Sequence, residues 1–477
     1  MKRQKKTRCM MMLYQMLMLT MVVLTGCNQG GSGSNEPIIH EATSQVESQT
    51  KPQDDPITLP SRDTNNQITA TIISDIHQLS PDLRADNKVF ETFINSGDGK
   101  LLAYSTEILE ALKVDIDTDI LIVSGDLTTH GELSSHEWLA NYFHEIEAKD
   151  IGADSGTSRH TRVFVIPGNH DVNNPYARTF VSGKQEVTDT VSPGEFSSIY
   201  SDFGYNEALS RDPSSLSYVV RLADDFYLVM LDTCKYEDNI ALGYPVTGGE
   251  LRTSTIEWLL DVDKQIKALS PKGAKVISSS HHNMLSHSPV HDRGFVIDNI
   301  QEGTDILDTL GIKLNFSGHI HIQDIISEGN LTEIATGSLL QYAQTYGVAT
   351  FTDEKVDYHT QWIDMDSYAQ LEKLTDPFLL DFKSHAREVF RENSVALIGE
   401  RIANSRTLEE VEAMKTVFAD LNEGYFAGTD SDAIIKETIR NGLGYALWMQ
   451  EEEGFLRSYV ESMLLDDSPD NEYSGEI

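Results

Sequence analysis

The sequence predicts an α/β fold: two sheets covered by helices on both outer faces, followed by a small all-helical domain. Three observations predict it. Residues 67–364 alternate short runs rich in β-branched and aromatic residues with amphipathic stretches of helical period. Helices separate the strands in the first half of this region, which favours parallel pairing; in the second half strands follow one another closely, which favours antiparallel pairing. From residue 366 onward only the helical period remains.

The elements follow in order. "QITATIIS" (67–74) reads as a strand, and a helical stretch runs from about Tyr104 to Leu112. "DILIVSG" (119–125) is the next strand, "HEWLANYFHEIEAK" (136–149) an amphipathic helix, and "RVFVIPG" (162–168) a third strand. "SYVVRL", "DFYLVMLD", "KVISSS", "IKLNFSG", "DIISEG", "TEIATGS", "GVATFT" and "VDYHTQWID" complete the strand set. Residues 67–365 thus form the first folded domain and 366–465 a helical one. The acidic, polar stretch 466–477 reads as disordered.

Before residue 67 the sequence has a different character. "MKRQKKTR" is basic, an apolar run from Cys9 to Leu24 follows, and "LTGC" ends at Cys27. This is the layout of a secretory signal over 1–26, and the apolar run is shorter than the ~20 residues of a spanning helix. "LTGC" resembles the lipobox of bacterial lipoproteins, which implies lipidation of Cys27 and a place on the outer face of the bacterial cell membrane. Residues 27–66, rich in Gly, Ser, Gln, Thr and Pro, read as a flexible tether. With Cys9 removed and Cys27 lipidated, Cys234 is left as a core thiol, and no intramolecular disulfide can form. Removing 1–26, with five Lys/Arg and no acid, takes the net charge from −38 to −43. Such a surface repels nucleic-acid polymers. An anionic substrate would need local positive charge, and few Lys or Arg stand near the motifs below, so metal ions are its expected source.

Five strands each end in Asp, Asn or His. They deliver Asp75 and His77; Asp126; Asn169, His170 and Asp171; His281 and His282; and His319 and His321. Taken singly, an Asp after a strand is usually a cap or turn residue, and a His pair is often solvated. Residues two apart on an extended strand point the same way, so Asp75/His77 and His319/His321 can each aim at one point. Carboxylate, amide oxygen and imidazole together suit Mn, Fe, Zn, Ni or Co better than Ca or Mg. About seven donors are too many for one ion and suit two ions sharing a carboxylate.

The order D-x-H, GD, GNHD, H, GHxH resembles the calcineurin-like metallophosphoesterases, over roughly residues 67–364. "GDLT", "IPGNHD" and the lipobox are most similar to the bacterial exported branch described as cyclic-nucleotide phosphodiesterase-like. The resemblance implies a four-layer αββα sandwich and two metal ions, divalent or mixed-valence, with Mn and Fe foremost. It implies that Asp75, His77 and His321 hold one ion, that Asn169, His281 and His319 hold the other, and that Asp126 bridges them. His170 would contact the phosphate and assist the leaving group, with Asp171 orienting it. The fourth block, "HHNMLSH", lacks the usual nearby Pro, so His281 and His282 both stand as ligand candidates, His281 being preferred. His282, His287 and His291 are candidates for the substrate pocket or for solvated positions. Asn173 and Asn174 either cap a turn before Pro175 or line the pocket.

The implied activity is hydrolysis of a small phosphodiester, a cyclic nucleotide first, by a hydroxide bridging the two ions. Phosphomonoesterase or nucleotidase action, or glycerophosphodiester hydrolysis, is compatible with the same centre. A metal-binding surface lipoprotein without turnover would explain the ligands but not His170.

Overall fold

Residues 67–95, 99–151, 158–291, 293–402, 406–466 and 468–477 are described by the computed structural model. The expected signal, Cys27 and the whole of the tether lie outside them. The strands of the two large sheets are β1 (Ile68–Ile73), β2 (Ile120–Val123), β3 (Arg162–Val165), β4 (Ser210–Arg211), β5 (Tyr218–Ala223), β6 (Phe226–Leu231), β7 (Lys275–Ser280), β8 (Leu314–Ser317), β9 (Asp324–Glu328), β10 (Leu331–Ala335), β11 (Thr345–Phe351), β12 (Lys355–Trp362) and β13 (Glu472–Glu476). One sheet runs β13-β12-β11-β1-β2-β3, the other β9-β10-β8-β7-β6-β5-β4.

The sheets pack face to face. Phe226 meets Phe351 with ring centres 5.3 Å apart, and the Tyr218 hydroxyl donates to the Val165 carbonyl at 3.0 Å. All four residues of β2 and all six of β6 are buried, as central strands covered on both sides require. Helices α1 (Ser105–Asp115) and α2 (Leu133–Ala148) cover the first sheet; the Tyr142 hydroxyl ties them by donating to the Leu109 carbonyl at 2.6 Å. Helices α3 (Thr253–Leu269) and α4 (Ile300–Thr309) cover the second. Trp258, Leu259, Val262, Ile306 and Leu307 pack there on Val229, Leu231 and Val276. Each such side chain contributes about 1.5–3 kcal/mol by leaving water. The result is the expected αββα sandwich.

Strand pairing agrees with expectation in the first half, where β1, β2 and β3 are parallel. In the second half the expectation holds only in part. The pairs β5/β6, β9/β10 and β11/β12 are antiparallel. The centre of the second sheet, β6, β7, β8 and β10, is parallel instead. The reason is that α3 and α4 lie between β6, β7 and β8 and act as the crossovers that parallel pairing needs.

After β12 the chain enters the helical segment: α5 (Met365–Leu371), α6 (Phe382–Ile402), α7 (Leu408–Ala427), α8 (Ala433–Arg440), α9 (Leu443–Trp448) and α10 (Phe455–Met463). A capping box of Thr407 and Glu410 starts α7, and Gly428, at φ 62°, ends it. Trp448 is buried against α7 and donates its indole N–H to the Met414 carbonyl at 3.0 Å. The stretch 466–477, expected to be disordered, instead supplies β13, antiparallel to β12 with Tyr473 opposite Tyr358. Its acidic side chains hide a strand because on a sheet edge they face solvent while the backbone pairs. The turn into β13 is held by Gln323, which donates to the Asp470 carbonyl at 2.8 Å. None of the described helices is long and apolar enough to cross a membrane.

Candidate metal centre

The five polar loops converge. Asp75, His77, Asp126 and His321 each offer a ligand atom, and these lie within 4.8 Å of one another; Asp126, His281 and His319 form a second such group. Asn169 joins the second, its Oδ1 lying 3.1 Å from His281 Nε2. Asp126 is common to both groups. His281, the first of the adjacent pair, is the one that reaches the centre.

The backbone reaches this geometry by another route than an extended strand. β1 ends at Ile73 and β8 at Ser317. Asp75, His77, Asp126, His319 and His321 all have φ between 47° and 69°, in the left-handed region. A non-glycine residue there is strained, and strain that packing must hold in place clusters at functional sites. Two glycines let the loops touch. A Cβ on Gly318 would lie 1.7 Å from Ser74 Oγ and 2.5 Å from Asp75 Oδ2; one on Gly168 would lie 2.1 Å from Asp126 Oδ1. Gly318→Ala is therefore expected to displace Asp75 and to weaken metal binding by at least ~10-fold, read as metal retained after dialysis. Unchanged metal content would refute this reading of the glycine.

The residues present fit metal ions. Asp75 Oδ1 is buried and accepts no hydrogen bond, yet faces His321 Nε2 at 3.1 Å and His77 Nε2 at 3.9 Å. His77 Nε2 and His321 Nε2 stand 3.2 Å apart. Two imidazole nitrogens and an unsatisfied carboxylate oxygen gathered so closely call for a cation among them. Burial, reinforced by neighbouring imidazoles, lowers both His77 and His319 to about 3, which keeps them neutral as ligation requires. Burial would raise Asp126, but His281, His170 and His77 outweigh it and hold the carboxyl well below its ordinary range. Burial likewise works to lower His281, but the charges of Asp126 and Asp75 carry it up to about 9. Backbone carbonyls orient the rings. His319 Nε2 donates to Gly294 at 2.7 Å, leaving Nδ1 for a metal; His281 Nδ1 donates to Ser124 at 2.9 Å, leaving Nε2.

His170 lies beside both groups. Its ring centre is 4.9 Å from that of His77, and its backbone N–H donates to Asp126 Oδ1 at 2.8 Å. Nδ1 donates to the Thr129 carbonyl at 2.6 Å, which leaves Nε2 for a substrate. Asp171 does not orient this ring. Its carboxylate accepts from the backbone N–H of Gly168, Leu127 and Thr128 and from the Thr128 hydroxyl, at 2.8–3.1 Å. It is a clamp between two loops, and the Thr129 carbonyl does the work expected of it. Asp171→Asn turns an N–H group toward N–H donors and is expected to cost about 2–3 kcal/mol. A denaturant midpoint equal to that of the parent protein would contradict this.

His282 is buried with both ring nitrogens engaged, by Thr233 Oγ1 at 2.8 Å and the Thr247 carbonyl at 3.0 Å. It supports His319, with ring centres 4.4 Å apart, rather than lining a pocket. Asn173 spends its side chain on the Tyr236 carbonyl at 3.3 Å. Asn174 takes the turn role: it accepts from the Tyr176 N–H and donates to the His170 carbonyl, both at 2.9 Å. His287 is neither solvated nor in a pocket at the centre; it is buried in an ion pair with Asp324. His291 packs between Phe295 and Tyr459, with ring centres 5.2 and 5.0 Å away, and Phe295 in turn lies 5.5 Å from His319. The helical segment therefore touches the loop that touches the centre. Cys234 is a buried free thiol, as expected. Sequence reasoning missed His130, which is buried and stacks on His170 with ring centres 5.5 Å apart. Its place two residues past "GDLT" was the only signal.

Two families match the chain. The family described as calcineurin-like phosphoesterase matches residues 68–323, and the C-terminal domain of cyclic nucleotide phosphodiesterase matches 364–470. Among solved structures, a dimetal phosphatase from Danio rerio is similar at 12% identity, covering 62% of this chain and 96% of that one, with a TM-score of 0.40. A putative 5'-nucleotidase from Staphylococcus aureus is similar at 14% identity, covering 60% and 50%, with a TM-score of 0.31. GAP50, described as the anchor in the inner membrane complex of Plasmodium, is similar at 10% identity, covering 62% and 85%, with a TM-score of 0.32. No curated protein matches the chain. The first family match spans more than half of the sequence, and it takes in each of the five loops that supply the two ligand groups; the chain belongs to the calcineurin-like phosphoesterases.

Proposed function

We propose that the protein is a phosphodiesterase acting on cyclic nucleotides or a similar small diester. The observation that carries this reading is the match of residues 364–470 to the C-terminal domain of cyclic nucleotide phosphodiesterase, beyond the catalytic match. Two metal ions at the two groups would supply Lewis acidity and an activated water for attack at phosphorus. Asp75, His77 and His321 would hold one, Asn169, His281 and His319 the other, with Asp126 between them. His170 would place Nε2 on a phosphate oxygen or on the leaving alkoxide, its ring held by Thr129. The net charge of −38 fits this arrangement, because the substrate anion is met by the centre and not by a basic surface.

A panel of cAMP, cGMP, 2′,3′-cyclic nucleotides and glycerophosphodiesters tests the reading, with bis(p-nitrophenyl) phosphate compared against its mono-ester. Diester turnover at least ~10-fold above monoester turnover is expected; the reverse ranking would make the protein a phosphomonoesterase. Chelation should abolish activity and Mn should restore it, and activity that survives exhaustive chelation would overturn the metal mechanism. The chain is further proposed to be lipid-anchored at Cys27. Cys27→Ser should move it from the membrane to the soluble fraction, and retention in the membrane fraction would refute the anchor.

A further inference from the structure

A second gathering of carboxylates lies where the helical segment meets the catalytic part. Asp324 opens β9, three residues after His321. Asp466 and Asp470 lie on the chain between α10 and β13. One carboxylate oxygen of each lies within 4.8 Å of the other two. Acidic residues on a surface gather without consequence, but here Asp324 and Asp470 are buried and Asp466 is half-buried. Asp470 is 1% exposed, and its Oδ2 accepts no hydrogen bond; Oδ1 takes the Ile325 N–H at 3.2 Å. Asp430, 8% exposed, also has an Oδ2 without a donor, and it interacts electrostatically with Asp466 and Asp324. A cavity of about 240 Å³ opens beside them, with Asp324, Asp466, Ser286, Ser288, Ser462 and Ser468 in its wall.

The charges do not balance. Asp324, Asp430, Asp466, Asp470 and the neighbouring Glu333 stand against His287, which pairs with Asp324 and Glu333, and Lys436, which interacts with Asp430 and Asp466. Buried carboxylates without counter-charge are costly. Burial, and then the neighbouring carboxylates, push Asp470 up to about 9 and Asp430 up to about 7. The cluster must take up protons or a cation.

We propose that Asp324, Asp466 and Asp470, with Asp430 beside them, bind a divalent cation of the calcium class that pins the helical segment and β13 to the loop carrying His319 and His321. The donors are all oxygen, because His287 Nδ1 is already engaged by Asp324. Oxygen-only sites select hard cations. Two ligands from irregular chain, Asp466 and Asp470, with room for water, suit the 6–8 flexible oxygen contacts of Ca²⁺ better than the rigid octahedron of Mg²⁺. The catalytic centre, with its imidazoles, is of a different class, so the two sites can be occupied separately.

The test uses the full chain loaded with Mn. Calcium binding is measured by calorimetry and thermal unfolding with and without 1 mM Ca²⁺, for the parent protein, Asp466→Asn, Asp470→Asn and Asp126→Asn. The parent should bind one Ca²⁺ and gain about 3 °C in Tm. Asp126→Asn should keep that response, and Asp466→Asn and Asp470→Asn should weaken calcium binding by at least ~10-fold. If Asp470→Asn does not fold, the more exposed Asp466→Asn carries the same expectation. Absence of calcium binding in the parent, an undiminished response in Asp466→Asn, or loss of the response in Asp126→Asn would each overturn the proposal. None of these readouts depends on the substrate.

Discussion

Asp126→Asn is expected to lower turnover by at least ~100-fold and to remove at least one metal ion per chain, with the fold retained. Asp126 Oδ2 lies 3.3 Å from His281 Nε2 and 3.8 Å from His77 Nε2, one ring from each ligand group. Oδ1 meanwhile accepts the His170 N–H. An amide keeps the shape but surrenders the negative charge and one acceptor. If its oxygen stays on His170, its NH₂ faces both imidazoles. Metal content by mass spectrometry, read alongside turnover on a diester, checks both halves. A purified, metal-loaded variant with near-normal turnover would exclude Asp126 from the bridging role proposed for it.

His170→Ala is expected to cost a similar factor, at least ~100-fold, with metal content unchanged. Alanine preserves the backbone N–H that Asp126 accepts, so the ligand groups keep their support. What is lost is the ring held by Thr129 and stacked on His130. The loss should depend on the leaving group. A nucleoside alkoxide needs a proton and should suffer fully, whereas p-nitrophenolate leaves unaided and bis(p-nitrophenyl) phosphate should suffer less. Equal losses on both substrates would assign His170 to phosphate binding alone, and no loss on either would exclude it from the chemistry.

Much of this was legible from residue order. Each strand named from the sequence is present, because buried strands are runs of apolar residues. The centre was legible because Asp, Asn and His at five strand ends leave little else to explain them. Asp75/His77 and His319/His321 converge through left-handed backbone, which no side-chain pattern reveals. The resemblance implied that Asp171 orients His170, whereas the fold gives Asp171 three donors from residues 127–128 and one from its own loop, and gives His170 a carbonyl. Carbonyls such as Thr129 and Gly294 carry no side-chain signature at all. The strand at 472–476 was hidden because acidic composition reports what faces water, not what the backbone pairs with.

The return of that strand to β12 also governs the order in which the molecule can be completed. Synthesis delivers β1 to β12 first, and the helical segment at 363–471 must follow before residues 472–476 arrive. Until then β12 is an open edge, with unpaired N–H and C=O groups available to another chain. Helices that form on their own shorten the gap that the last pairing must close. A ribosome stalled between residues 408 and 463 would hold a chain whose sheet is unsealed and whose Asp324 still lacks its two later carboxylates.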